Sequence, residues 1–252
     1  MIIGIMGAMT QEIELLLPKI ADAFYHRVGV RTFITGKIKD QEVVVVFSRM
    51  GKVAASTTAT ILIERFHVKV IVFSGVAGAI SHKLKIGDIV ISEQLVQYDM
   101  DASALPEFGK FEIPLLGKGF LDSNCGLVDK AQKAAIDYVR EDLVNDVGKK
   151  TLHSFGIEKP QVYRGLIGSG DQFIASKEAS EQLRSDLPEL LCVEMEGAAV
   201  AQVAVENEIP FVVVRTISDR ADHDAHLDFP IFVDQIASHF TCGVVKRLLE
   251  IL

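Results

Sequence analysis

The chain of 252 residues has no tryptophan and only three cysteines. Cys125, Cys192 and Cys242 are widely scattered and show no C-x-x-C spacing. That excludes a disulfide framework and fits buried thiols in a reducing compartment. No run of Lys and Arg exceeds two residues, and the net charge is −8. Such a balance argues against nucleic acid or an anionic membrane as partner. No stretch approaches the roughly 18 apolar residues needed to cross a bilayer. The opening Met1-Ile2-Ile3-Gly4-Ile5-Met6 lacks a basic region and is too short for a signal peptide's apolar core. The expected location is cytoplasmic.

Several catalytic signatures are also missing. Neither G-x-G-x-x-G nor G-x-x-x-x-G-K-S/T occurs, and Gly168-Ser169-Gly170, the nearest approach, lacks the third glycine. A dinucleotide or triphosphate site is therefore not expected. There is no G-x-S-x-G elbow, and no cysteine has neighbours that lower its pKa. The chemistry falls to carboxylates, positioned water and hydrogen bonds.

What is present is an ordinary globular composition, 49% apolar and 24% charged. Short β-branched runs alternate with helical stretches. Strands are expected at Ile2–Met6, Thr32–Ile38, Glu42–Phe47, Val68–Ser74, Ile86–Gln97, Val162–Ile167 and Phe211–Arg215. Helices are expected at Gln11–Ile20, Val53–Phe66, Leu127–Val147, Lys177–Arg184, Glu196–Glu206 and Ile231–Leu252. This alternation predicts an α/β fold with a parallel or mixed sheet, and no linker divides residues 1–252, so one domain is expected. The poorly patterned Asp99–Asn124 reads as a long functional loop or an interface segment.

Ligands of open α/β sheets bind beyond the carboxyl ends of the strands. Five apolar runs end in small residues with carboxylates, an arginine or an aromatic. These ends are Gly7 to Glu12, Ser74 to Gly78, Gly168 to Ile174, Glu194 to Gly197, and Arg215 to Asp219. Each has a purely structural reading as well. The glycines suit tight turns, Glu12 suits a helix first turn, and Asp219 suits a helix N-cap. Glu194 and Glu196 flank a methionine at a strand end, an awkward place to bury charge without a partner. A sugar cis-diol would satisfy such a carboxylate, and so would Arg215. Asp222-His223-Asp224-Ala225-His226, with Asp228 beyond, has metal-binding residue types. No third distant ligand cluster accompanies it, and no metal is expected.

Several blocks, in order along nearly the whole chain, resemble the bacterial 5′-methylthioadenosine/S-adenosylhomocysteine nucleosidases of the nucleoside phosphorylase/hydrolase superfamily. They are Gly4 to Glu12, Met50 to Ala55, Gly75 to Gly78, Gly87 to Val90, Ser169 to Ile174, Val193 to Glu196 and Val214 to Asp219. The resemblance implies a single α/β domain around a central, mixed, partly barrelled sheet flanked by helices, usually a homodimer. It implies hydrolysis of the N-glycosidic bond of a 5′-thio-substituted adenosine, a small-molecule nucleoside substrate, with no cofactor or metal.

Carried over residue by residue, Glu12 matches the general base that activates water, and Asp219 the general acid at purine N7. Glu196 with Met195 matches the ribose-binding pair, and Phe173 and Ile174 the purine positions. Gly78 lies in the ligand-contact turn. Met50 and Phe229 match the apolar pocket for the 5′ substituent, while Arg215 and Ser218 match residues that orient the water and Asp219. Val76 stands where a serine is common, which leaves any contact there to the backbone. The 99–124 segment differs from the usual sequence and Asp222–Asp228 is more charged than usual. The same contacts would serve an aminodeoxyfutalosine hydrolase. A purine nucleoside phosphorylase is disfavoured because Gly7 to Glu14 carries two glutamates and no cation to cradle phosphate. A non-catalytic nucleoside-binding protein would need neither acid nor base.

Overall fold

The apolar runs that carry no polar alternation become strands covered on both faces, as burial of both faces requires. In the computed structural model, which describes residues 1–222 and 225–252, β1 (Ile3–Gly7) is buried along its whole length. It lies parallel between β4 (Gln41–Phe47) and β5 (Val70–Ala79). The remaining strands are β2 (Ala21–Val28), β3 (Arg31–Ile38), β6 (Ile89–Gln97), β7 (Phe120–Asp122), β8 (Val162–Ser169), β9 (Leu190–Glu194) and β10 (Phe211–Asp219).

The long strand β5 organises the sheet. One of its edges pairs with β10 from Ile71 to Gly78. The other edge is shared, with β1 taking Val70 to Phe73 and β9 taking Gly78 and Ala79 in antiparallel register. This sharing closes β5, β10, β6, β8 and β9 into a barrel and leaves β1, β4, β3 and β2 as an open wing. Because β9 overlaps β5 only at the end of β5, the carboxyl ends of β8 and β9 arrive beside those of β1, β5 and β10. Ser169 pairs with Glu194, and Val193 with Gly78.

Helices cover both faces. They are α1 (Thr10–Ile13), α2 (Lys52–Phe66), α3 (Cys125–Glu141), α4 (Leu143–Val147), α5 (Lys149–Ser154), α6 (Lys177–Asp186), α7 (Gly197–Glu206), α8 (Ala225–Phe232) and α9 (Ser238–Ile251). Buried Ala55, Ala59 and Leu62 of α2 and Ala198, Ala201 and Ala204 of α7 join one core with Met6, Ile71 and Phe73. Tyr138 of α3 and Phe240, Leu248 and Leu249 of α9 join the other, with Ile3, Val72 and Val214. Among the described residues no helix is long and apolar enough to cross a membrane.

The expected α/β architecture with a mixed, partly barrelled sheet is what the chain forms. Individual elements differ for local reasons. The helix expected over Gln11–Ile20 is a single α-turn followed by a 3₁₀ turn at Leu17–Lys19, where Pro18 withholds an N–H. The helix expected over Leu127–Val147 breaks at Asp142 into α3 and α4. Ile231–Leu252 instead joins the end of α8, a π-turn at Val233–Ala237 and α9. Strand β2 was not expected, because it is a sheet edge whose residues are mostly exposed and show no apolar alternation. The 99–124 segment contains β7 and two isolated bridges, Asp101 with Lys110 and Ile113 with Lys118.

Candidate active site

A cavity of about 350 Å³ opens where the carboxyl ends of β1, β5, β9 and β10 meet. Glu12, Met50, Gly78, Phe173, Ile174, Met195, Glu196, Ser218, Asp219 and Phe229 all line it. Among the described residues no lysine or arginine does. Arg215 lies behind the wall, buried, under the carboxylates that face inward.

Glu12 sits in the turn after β1, in the first turn of α1, where backbone N–H groups have no helical partner. Its Oε2 accepts from the N–H groups of Ala8 at 2.6 Å and Met9 at 3.0 Å. Its Oε1 accepts from the N–H of Val76 at 3.1 Å, so the backbone supplies the contact that Val76's side chain cannot make. The first-turn reading therefore holds for this residue, which also lines the cavity. Burial raises the Glu12 pKa, opposed by Arg215 and by the three N–H groups. Gly75 makes the approach possible, since a Cβ there would lie 2.5 Å from Glu12 Oε1 and 3.2 Å from Arg215 Nη1.

Glu12, Glu194 and Glu196 divide the buried Arg215 guanidinium unequally. Arg215 Nη2 donates to Glu194 Oε2 at 2.6 Å, and its guanidinium lies 4.1 Å from the centre of the Phe73 ring. Glu194 is further held by the N–H groups of Glu196 and Gly197 and by the Ser169 hydroxyl. Glu194, which sequence reasoning left out of the site, is thus the partner of Arg215, and Glu196 is not. The signal was present in the Val193 to Glu196 block, but which of two nearby carboxylates meets the arginine depends on the strand end. Among the described residues Glu196 receives only the Gly51 N–H, at 2.8 Å, on Oε1. Burial first, then the neighbouring Glu194 charge, push its pKa up to about 8.

Asp219 ends β10 and is 2% exposed. It does not cap a helix. Its Oδ1 accepts from the Ala221 N–H at 2.8 Å and its Oδ2 from the Ser218 hydroxyl at 2.7 Å. Burial raises its pKa, the two hydrogen bonds oppose this, and the charges of Asp228 and Asp222 add to the rise. Arg215 makes no hydrogen bond to Asp219. It turns to Glu194, Val214 O and Phe73 O instead. A Cβ at Gly78 would lie 2.8 Å from Asp219 Oδ1. Gly75 and Gly78 are thus the points where β5 meets the two acids, about 10 Å apart along an extended strand.

The remaining lining is apolar. Phe173 and Phe229 meet edge to face with centroids 5.3 Å apart. Met50 is 61% exposed and Phe173 45%, so both stand at the mouth. Met9, Ala8, Val76 and Gln172 also line the cavity and were not expected as site residues. The mouth is tied to the 99–124 segment by Asp99, which takes the Lys52 ammonium at 2.6 Å and the Asp171 N–H at 2.9 Å. In the Asp222–His226 stretch, His223 and Asp224 lie outside the described residues. The arrangement offers a flat apolar slot with a protonatable acid at one end, a carboxylate held on backbone N–H groups at the other, and a third carboxyl between Gly51 and the cavity.

Comparison with known proteins gives a consistent result. Residues 2–250 match the family model of the phosphorylase superfamily. A 5′-methylthioadenosine/S-adenosylhomocysteine nucleosidase of Shewanella denitrificans is 36% identical over 249 residues, 99% of either chain. The nucleosidase of the same name from Neisseria meningitidis, solved in complex with methylthio-immucillin-A, superposes with a TM-score of 0.87 at 29% identity, covering 100% of this chain and 99% of that one. A futalosine hydrolase of Helicobacter pylori superposes with a TM-score of 0.83 at 33% identity, covering 100% and 98%.

Proposed function

Since the chain belongs to the phosphorylase superfamily and, within it, to the 5′-methylthioadenosine/S-adenosylhomocysteine nucleosidases, N-glycosyl hydrolases by class, we propose that it hydrolyses the N-glycosidic bond of 5′-methylthioadenosine and S-adenosylhomocysteine. The products are adenine and the 5-thio-substituted ribose. The observation that carries this reading is the pair of buried carboxyls, Asp219 and Glu12, at two separate points of a cavity lined by no cation.

Cleavage of the ribosyl C–N bond builds positive charge on the sugar and negative charge on the purine. Asp219, whose carboxyl burial and two acidic neighbours make harder to ionise, donates a proton or hydrogen bond to N7 of the leaving adenine. General acid catalysis of this kind contributes about 10²–10⁴-fold. Glu12 takes a proton from the attacking water. It lines the cavity, and three N–H groups and the Arg215 charge behind it oppose the rise in its pKa that burial causes. An acid on one side and a water-activating base on the other follow the logic of an inverting glycosidase. Glu196 accepts from the ribose hydroxyls beside Met195. Phe173 stacks on the purine, Ile174 presents its backbone to the purine edge, and Gly78 admits the ligand close to β5. Met50 and Phe229 cover the 5′ substituent. Ser218 orients Asp219, and Arg215 acts on the water only through the Glu12 field and on the wall through Glu194. The reaction needs no cofactor or metal.

Phosphorolysis is disfavoured because phosphate would meet Glu12 with no lysine or arginine in the lining. The likeness to the futalosine hydrolase favours aminodeoxyfutalosine as a second substrate to test. Apolar Met50, Val53, Phe173 and Leu115, exposed by 61%, 78%, 45% and 96%, support a homodimer, which light scattering coupled to size exclusion would reveal. Three unpaired cysteines support a cytoplasmic location.

The test is purified protein with 5′-methylthioadenosine in phosphate-free buffer, with products resolved chromatographically. Free adenine and a reducing sugar are expected. Release only after phosphate is added would make the chain a phosphorylase and remove the role given to Glu12.

A further inference from the structure

On the far side of the 220–222 turn lies a second cavity of about 400 Å³. Its walls are the chain leaving β5 from Ala79 to Lys85, one face of α6, and Arg220 with Asp222. On α6 the contributing residues are Lys177, Ser180, Glu181 and Arg184, at the spacing that aligns one helical face. The charge here reverses that of the whole chain. Among the described residues four cations, Lys85, Lys177, Arg184 and Arg220, face two carboxylates, Glu181 and Asp222, in a protein of net charge −8.

The pairing is incomplete as well. Glu181 lies 3.7 Å from Lys177. Arg184 spends Nε and one Nη2 hydrogen on the Ile80 carbonyl, at 3.1 and 2.9 Å, which fixes the guanidinium plane and leaves its Nη1 edge undirected. Among the described residues neither Arg220 nor Lys85 has a carboxylate within 4 Å of its cationic nitrogens. Arg184 thus resembles a preset fork rather than a mobile surface charge. Ser180 is buried in the wall, and Ile80 and Leu84 supply an apolar floor.

We propose that this cavity binds a phosphate dianion, free or as the monoester of a small molecule. Lys85, Arg184 and Arg220, which among the described residues have no carboxylate within 4 Å, are set around a pocket and match a tetrahedral dianion, whose oxygens point in several directions, better than a carboxylate that one arginine fork would satisfy. The volume exceeds what a bare anion fills and falls within the range of small-ligand pockets, so the apolar floor is there for the body of an ester. The proposal does not rest on the nucleosidase reading. The second cavity adjoins the first at the end of β5, where Gly78 lines the first and Ala79 the second, and at the turn in which Arg220 and Asp222 flank Ala221.

The experiment titrates inorganic phosphate, and separately glycerol phosphate and ribose 5-phosphate, into the full chain at constant ionic strength, with calorimetry and thermal melting as readouts. At a hundredfold excess over Kd the melting temperature should rise by about 5–10 °C. Lys85→Gln/Arg220→Gln, two exposed positions outside the first cavity, should weaken Kd at least about tenfold and leave adenine release unchanged. Equal binding of phosphate and esters identifies the free anion as ligand; preference for esters identifies the monoester. The proposal is overturned if chloride at matched ionic strength reproduces the shift, if no phosphate compound binds, or if binding survives in the double variant and is instead altered by Glu12→Gln.

Discussion

Replacing Asp219 by asparagine separates catalysis from folding. The change is isosteric, and the Ala221 N–H keeps its oxygen at 2.8 Å. The Ser218 hydroxyl now donates to Asp219 Oδ2 at 2.7 Å and lies 3.4 Å from the Ala77 carbonyl. In the variant it rotates to donate to Ala77 and accept from the new amide, so no buried polar group is left unsatisfied. The carboxyl being removed is one that burial and two acidic neighbours make harder to ionise. Its folded pKa lies above the ordinary 3.8. Its stabilising contribution is therefore complete below that value and is lost as the pH rises through the raised one. The amide has no such loss. Asp219→Asn should melt at or above the wild-type temperature at pH 8, with the difference shrinking as the pH falls towards 4.

Turnover should move the other way. Without a proton to give to N7, kcat should fall about 10²–10⁴-fold, or roughly 3–5 kcal/mol of barrier. The assay is adenine release in phosphate-free buffer at pH 7, beside thermal melts at pH 5 and 8 of the same preparations. Activity within about fivefold of wild type would refute the role given to Asp219. A melting temperature lowered at every pH would refute the account of its hydrogen bonds.

Glu12→Gln should lose activity and stability together, because an amide nitrogen would face N–H donors that now point at a carboxylate. The cost is about 1–3 kcal/mol, readable by denaturant melts, and kcat should fall at least about a hundredfold. For Glu196, with its pKa pushed to about 8 from 4.5, KM in the wild type should change slope near pH 8, and the inflection should vanish in Glu196→Gln. Because the folded value is raised, the contribution of Glu196 to stability is present below pH 4.5 and is lost as the pH rises through about 8. Wild-type melting temperature should accordingly decline across that window more than the variant's. Gly75→Ala places a methyl 2.5 Å from Glu12 Oε1 and should cost about 1–3 kcal/mol through overpacking and displace the base. Near-normal kcat in that variant would mean that Glu12 is not held as described.

Much of this protein was settled by local sequence. Runs such as Ile2–Met6, Val68–Ser74 and Phe211–Arg215 are apolar without alternation, and a strand of that kind has no exposed face, so a covered α/β sheet followed. Small residues after those runs marked where the backbone can approach a ligand, and ten of the eleven site residues that the family resemblance implied line one cavity. Local signals failed where burial did not shape the pattern, as at edge strand β2, whose Phe24 and Tyr25 are each 65% exposed.

Tertiary structure alone decided how the charges are distributed. Barrel closure brings the end of β9 against β5, which aims Arg215 at Glu194 and leaves Glu196 with a single N–H and its free oxygen toward the cavity. The same closure keeps Arg215 off Asp219, whose pKa is then set by burial and by Asp228 and Asp222. A sequence fixes which groups are ionisable. Which of them share a buried cation, and so which remain acids, depends on distances that exist only after the barrel has closed.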